Sequence, residues 1–241
     1  MPHPALASLT LAAPLILGAT LAAAQTPIVL QHDKRPPFLK TETDGSVSGT
    51  AATPVAQAFQ KAGIPYVWKY ESAARQVAQM QSGARVCSVG WYKTPERERY
   101  AKFSKPISQD TPMIALANSS FQVQGKADLE QILSNPKVTV LIKTLVVYGP
   151  YLETRFARMK AKRIATYEEF GGMIRLIKLG RAQITFIPIE EAEYYIDKMG
   201  YARNDFNIIR FADMPPGEKR YIMCSKSIEN EVMERLDAAI K

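Results

Sequence analysis

Thr94-Pro95-Glu96-Arg97 follows Gly90-Trp91-Tyr92-Lys93 and precedes Phe103-Ser104-Lys105-Pro106-Ile107, and it brings a hydroxyl, backbone N–H groups and a guanidinium to one corner of the chain. An apolar run over 86–89 reads as a strand that ends in the Gly-aromatic turn. Arginine offers a planar fork that matches the two oxygens of a carboxylate. Pro95 suits the first turn of a helix and Thr94 its N-cap, which sets this grip at the positive end of a helix. The corner therefore has the parts for holding a small anionic group. The alternative reading is a capped surface helix whose Arg97 pairs with Glu96 or Glu98 in solvent.

Elements that could carry such a corner follow from the patterning of the remaining chain. Apolar runs at 28–31, 66–70 and 86–89 alternate with helical patterns opened by Thr53-Pro54 and by Ser72, and closed by Gly63 and Gly83. That strand–helix order predicts an α/β layer with a mainly parallel sheet. A second set begins near residue 112, with strands at 113–116, 138–142, 182–187 and 206–211. Its helices are placed at 128–133, 151–160 and 190–198, with one more behind a Thr166–Glu169 capping box whose buried stripe is Phe170, Met173, Ile174 and Ile177. A last strand at 219–224 and a helix with Ile228, Val232, Leu236 and Ile240 inward complete the chain. Two α/β sets with one strand and helix left over imply a chain that leaves a first domain and returns to it. Crossings are expected near 106–112 and 212–217, with a cleft between the two halves.

Composition is that of a globular chain, with 241 residues, 46% hydrophobic and 22% charged, and a formal charge of +8. Residues 5–24 are apolar or small and end in Ala22-Ala23-Ala24, which reads as a secretory signal peptide over 1–24, although its first residues carry no Lys or Arg. Export argues against a nucleic-acid partner for the basic charge. Arg155, Arg158, Lys160, Lys162 and Arg163 read instead as the solvated side of one helix. Cys87 and Cys224 both lie in apolar strand patterns. Two buried free thiols are the alternative reading, but export permits a bond and the disulfide is the reading favoured. With two Cys and two His there is little material for a structural zinc or a Cys/His nucleophile, and no cofactor is expected.

The order of leader, Arg35-Pro36-Pro37-Phe38, Gly90 through Arg97, and Phe103-Ser104-Lys105-Pro106-Ile107 resembles family-3 extracellular solute-binding proteins, the receptors of polar amino-acid transporters and their relatives. The resemblance spans the mature chain, is strongest over 85–107, and looks closer to a little-characterised branch than to the amino-acid receptors. It implies a type II periplasmic-binding-protein fold with two α/β lobes joined by two crossing strands: residues 25–109 plus 213–241 as one lobe, 110–212 as the other. It also implies a periplasmic monomer that captures a small polar or acidic solute between the lobes and delivers it to an inner-membrane permease or a sensor.

By position, the resemblance makes Arg97 the carboxylate-binding arginine and sets Gly90 and Tyr92 in the loop lining the first lobe. Thr94 belongs to the same corner, and Phe38 to the Arg35-Pro36-Pro37-Phe38 segment. Arg35 falls where the family often has an aromatic that stacks on the ligand. Thr144 takes the place of the second lobe's hydroxyl and N–H anion contact, with Lys143 beside it. Trp91 and Tyr148 are the aromatics best placed to face the cleft, whereas Trp68, Phe59 and Phe170 are assigned to the core. The chain departs from the amino-acid receptors after the strand at 184–187, where their acidic residue is replaced by Pro188, with Glu190 and Glu191 further on. Arg35, Lys143 and Arg97 together favour a dianion or other acidic solute. A dehydratase of the prephenate or arogenate type on the same scaffold is the alternative, with Glu190 or Glu191 as general acid. A lytic transglycosylase or sensor ectodomain is a weaker third reading.

Overall fold

The computed structural model describes residues 26–240, so the leader expected over 1–24 lies outside the described residues. The chain runs β1 (Ile28–His32), β2 (Lys40–Thr41), β3 (Val47–Ser48), α1 (Ala52–Lys61), β4 (Tyr66–Tyr70), α2 (Ala73–Gln81), β5 (Val86–Trp91), α3 (Pro95–Glu98), β6 (Ala101–Phe103) and β7 (Ser108–Gln109). It continues through β8 (Met113–Asn118), α4 (Leu129–Ser134), β9 (Thr139–Lys143), α5 (Pro150–Arg158), β10 (Lys162–Thr166), α6 (Phe170–Lys178), β11 (Ile184–Pro188) and α7 (Ile189–Lys198). A 3₁₀ turn (Arg203–Asp205), β12 (Phe206–Ile209), β13 (Lys219–Ser225) and α8 (Asn230–Ala239) follow.

Two sheets divide these strands. The first has the order β4-β1-β5-β13-β6, with β7 also on β13; β1, β4 and β5 are parallel and β13 runs antiparallel to its neighbours. The second has the order β10-β9-β11-β8-β12, with β9, β10 and β11 parallel and β8 antiparallel to both β11 and β12. Parallel strands need both faces covered, and the helices cover them. On the first sheet, Ile28, Leu30, Cys87 and Val89 pack against Val55 and Phe59 of α1 and Leu236 of α8, and on the other face Val86 meets Met80 of α2. On the second, α5 packs Leu152 and Phe156 on one face, while α6 and α7 place Met173, Ile174, Ile177 and Ile196 on the other. The fold is thus a two-lobed type II periplasmic-binding-protein fold.

The lobes are joined by segments that run side by side. Lys219 and Arg220 at the start of β13 pair antiparallel with Gln109 and Ser108, and the Asp110 N–H donates to the Glu218 carbonyl at 3.0 Å. At Gly217 the two crossings come so close that a Cβ would sit 2.2 Å from the Asp110 carbonyl oxygen, so no larger residue fits without moving the backbone. Cys87 and Cys224, directly opposite each other on β5 and β13, form a buried disulfide across 137 residues of sequence. The bond fastens the returning strand to the first lobe.

Two local readings change. β10 occupies 162–166, so α5 ends at Arg158 and Lys162 and Arg163 stand on a strand, not on a helix face. Thr166 is the last rung of β10, opposite Lys143, and α6 begins at Phe170; the Thr166 hydroxyl accepts from the Glu168 N–H at 3.1 Å in a turn instead of closing a capping box. Strand pairing of a β-branched residue outweighs its preference for a cap here.

Candidate functional site

A cavity of about 320 Å³ lies between the lobes, at the carboxyl ends of the parallel strands. That is where open α/β sheets leave room for a ligand, and the volume is at the small end of ligand pockets, about 300–1,000 Å³. The first lobe contributes Asp33, Arg35 and Phe38 from the segment after β1, Gly90, Trp91 and Tyr92 from the end of β5, and Arg97. From the second come Lys143, Thr144 and Leu145 after β9, with Tyr167, Glu169 and Phe170 at the entrance to α6.

Arg97 is held by its own corner. α3 is only four residues long; the Thr94 hydroxyl accepts from the Arg97 N–H at 3.3 Å, which aims the side chain back toward β5. There Nη1 donates to the Tyr92 carbonyl at 2.8 Å, and the guanidinium carbon lies 4.6 Å from the centre of the Trp91 ring. Trp91 is fixed in turn, since its Nε1 donates to Gln76 at 2.9 Å. Burial draws the Arg97 guanidinium below its ordinary value, with Tyr100 opposing. No carboxylate pairs with it among the described residues.

Asp33 is the counterpart that spacing did not reveal. It lines the same cavity and has no side-chain hydrogen-bond partner among the described residues. Burial pushes its carboxyl up, and Arg35 only partly offsets this. A lone acid after an apolar strand carries no periodic signal; its place in the segment with Arg35 and Phe38 was the available clue.

The other charges are already matched. Arg35 binds Glu191 in a fork, Nε to Oε1 at 3.1 Å and Nη2 to Oε2 at 2.9 Å. Burial works against the Arg35 charge, but the Glu191 carboxylate more than compensates and holds the guanidinium above its ordinary value. Lys143 donates to the Glu168 carbonyl at 2.8 Å and to Glu169 at 3.2 Å. Arg220 reaches Asp110 at 2.9 Å, the Gly90 carbonyl at 2.9 Å and the Tyr92 hydroxyl at 2.9 Å. Gly90, at φ 82°, turns its carbonyl toward that guanidinium, a backbone state that side-chain-bearing residues rarely adopt. Arg35, Lys143 and Arg97 therefore do not form the cationic trio expected for a dianion, because two of the three are neutralised by the second lobe's carboxylates.

Four further expectations change. Thr94 does not line the cavity; its hydroxyl is used as the helix cap. Tyr148 is 4% exposed in the second lobe's core, edge-on to Phe156, and its hydroxyl accepts from the Lys143 N–H at 2.8 Å. It supports the end of β9 from behind. Thr144 does line the cavity, but its N–H donates to the Thr166 carbonyl at 2.7 Å and so is not available to an anion. Phe170, assigned to the core, is buried and also walls the cavity. Of the two acids offered as general acids, Glu191 is committed to Arg35, and Glu190 accepts from the Thr111 hydroxyl at 2.6 Å.

Comparison with known proteins agrees with this architecture. No curated protein sequence matches the chain. Among solved structures it is similar to an ancestral arginine-binding protein bound to arginine, at 18% identity and a TM-score of 0.70, covering 90% of this chain and 91% of that one. A periplasmic His/Glu/Gln/Arg/opine family-binding protein from Silicibacter pomeroyi, in complex with lysine, matches at 18% identity and a TM-score of 0.67, covering 88% of each chain. The B. pertussis BvgS periplasmic domain matches at 18% identity and a TM-score of 0.69, covering 88% of this chain and 39% of that one. The profile of bacterial extracellular solute-binding proteins, family 3, matches residues 28–241, and the chain belongs to that family.

Proposed function

We propose that this solute-binding protein takes an amphoteric small molecule, an amino acid or a close analogue, with its carboxylate on Arg97 and its cationic or N–H-bearing group toward Asp33. The observation that carries this reading is the charge pattern of the cavity. Arg35, Lys143 and Arg220 are each paired within the protein, while Arg97 and Asp33 each lack a charged partner at contact distance. A buried charge without a partner is costly, so a ligand that supplies both opposite charges gains most from the site. Trp91, Phe38 and Phe170 offer aromatic faces to the uncharged part of the molecule. Lys34, exposed at the mouth and 5.3 Å from the Tyr70 ring, adds positive potential at the entrance and favours encounter with a carboxylate-bearing solute.

The working place of the protein on this reading is outside the cytoplasmic membrane, reached through the leader at 1–24. Its partner there is a permease or a sensor that distinguishes the loaded from the empty form, and the protein acts as a monomer. Binding without turnover is the activity favoured, since Glu190 and Glu191, the two acids considered for acid catalysis, are engaged in structural bonds.

A thermal-shift panel tests the proposal. Amino acids, dicarboxylates and diamines are compared at equal concentration on protein stripped of solute by unfolding and refolding. Stabilisation by amino acids above both other classes is expected, and stabilisation by dicarboxylates alone contradicts it.

A further inference from the structure

One wall of the cavity is a cation-binding box that the chain fills with its own side chain. The Arg35 guanidinium is forked onto Glu191, and its carbon lies 5.2 Å from the centre of the Phe38 ring and 5.2 Å from that of Phe170. A carboxylate in the plane of a guanidinium with aromatic rings over its faces is the set of contacts proteins use to hold guanidinium ligands. Two of the three contacts belong to the opposite lobe: Arg35 and Phe38 follow β1, whereas Phe170 opens α6 and Glu191 stands in the first turn of α7. Glu191 is fully buried and has no partner other than Arg35 among the described residues. Beside it, the Thr111 hydroxyl ties Glu190 of the same helix to the first crossing segment.

We propose that Arg35 is a tethered stand-in for a cationic ligand, and that its seat between Phe38, Phe170 and Glu191 draws the two lobes together in the absence of solute. In a two-lobed receptor the bridging contacts ordinarily arrive with the ligand. Here one bridge is covalently attached to the first lobe, so it acts at a high effective concentration that does not depend on solute. Its influence is limited to the difference it makes between closed and open forms. Water would hydrate both charges in an open form, and desolvation opposes the buried pair. The box therefore raises the closed population without locking it. The consequence for signalling is direct: a permease or sensor that reads closure would meet a partly closed protein before any solute arrives.

The proposal goes beyond the Arg97 and Asp33 reading and does not require it, because its test contains no solute. Small-angle scattering on solute-free wild type, Arg35→Ala and Glu191→Gln gives the radius of gyration of each, and near-ultraviolet circular dichroism checks that each is folded. The expected result is a compact wild type and two expanded variants, with methylguanidinium at millimolar concentration restoring the compact form of Arg35→Ala but not of Glu191→Gln. Equal radii for all three proteins overturn the proposal. So does an expansion of Arg35→Ala that methylguanidinium leaves unchanged, since the box would then be no cation seat. Should Arg35→Ala fail to fold, Arg35→Gln takes its place in the expansion measurement, and a wild-type radius for it overturns the proposal.

Discussion

The Tyr92 hydroxyl donates to the Asp110 carboxylate at 2.7 Å, joining the floor of the cavity to the first crossing segment. Arg220, at the return of the second crossing, clamps the same carboxylate and lies 3.9 Å from the Tyr92 ring. The cavity floor and the segments that join the lobes are thus parts of one buried polar network. A change in the position of Tyr92 is felt directly at the crossings.

Breaking that network from one side leaves a buried charge alone. Asp110→Ala is expected to lower unfolding stability by about 3–5 kcal/mol, because the Arg220 guanidinium stays in place without its counter-ion. Tyr92→Phe, which removes the hydroxyl's two hydrogen bonds, one to Asp110 and one from Arg220, and keeps the ring, is expected to cost about 1–3 kcal/mol. Urea denaturation of the two variants beside wild type measures both.

Acid dependence follows from the same carboxylate. Burial works against ionisation of Asp110, but the hydrogen bonds and charge of Arg220, with Arg35 and Tyr92 adding to them, hold its carboxyl below the ordinary value. Its folded value lies below the unfolded one, so its contribution is complete above the ordinary carboxylate range and fades as pH falls toward the depressed folded value. Wild type should lose stability below about pH 4, and Asp110→Asn should lose less over that interval. Parallel pH–melting curves decide this.

Asp33 has the opposite sign. Its carboxyl is raised by burial, so the folded chain holds the proton more tightly than the unfolded chain does. That favours the folded state at low pH and is lost as pH rises through the raised value. Solute-free Asp33→Asn is therefore expected to melt above wild type at pH 7, with the gap narrowing on acidification, while its affinity for an amphoteric solute falls. A variant that melts at or below wild type at pH 7 would show that the carboxylate is comfortably solvated as it stands. A gain in stability combined with a loss of binding is the pattern expected of a residue kept for function.

Removing the Cys87–Cys224 bond frees a loop of 137 residues in the unfolded chain. The paired substitution to alanine is expected to lower stability by about 2–5 kcal/mol, detectable as an earlier urea midpoint. The effect should fall on the first lobe, where the bond joins β13 to β5.

Much of the architecture could be read from the sequence because helix and strand periods alternate cleanly and glycines end the helices. The Thr94–Arg97 corner was legible for a local reason: its cap, its proline and its guanidinium lie within four residues of each other. Partnerships across the fold were not. Arg35 meets Glu191 from 156 residues away, and Arg220 meets Asp110 from 110 residues away, so nothing in local spacing announces that their charges are already used. Counting Arg35 and Lys143 as available cations pointed to a dianion, and only the second lobe's Glu191 and Glu169 remove them from that count. Phe170 shows the same limit: its helical stripe marks it as core, but its position at the start of α6 also exposes it to the cavity.

Titration calorimetry of wild type and Arg97→Ala with the most stabilising solute of the panel tests the central claim most directly. Loss of a buried charge-paired contact of this kind is worth about 2–4 kcal/mol, roughly a 30- to 700-fold increase in Kd. A weakening of that size, in a variant whose melting shows it to be folded, is the predicted result. An Arg97→Ala protein that binds the same solute with wild-type affinity would contradict the account.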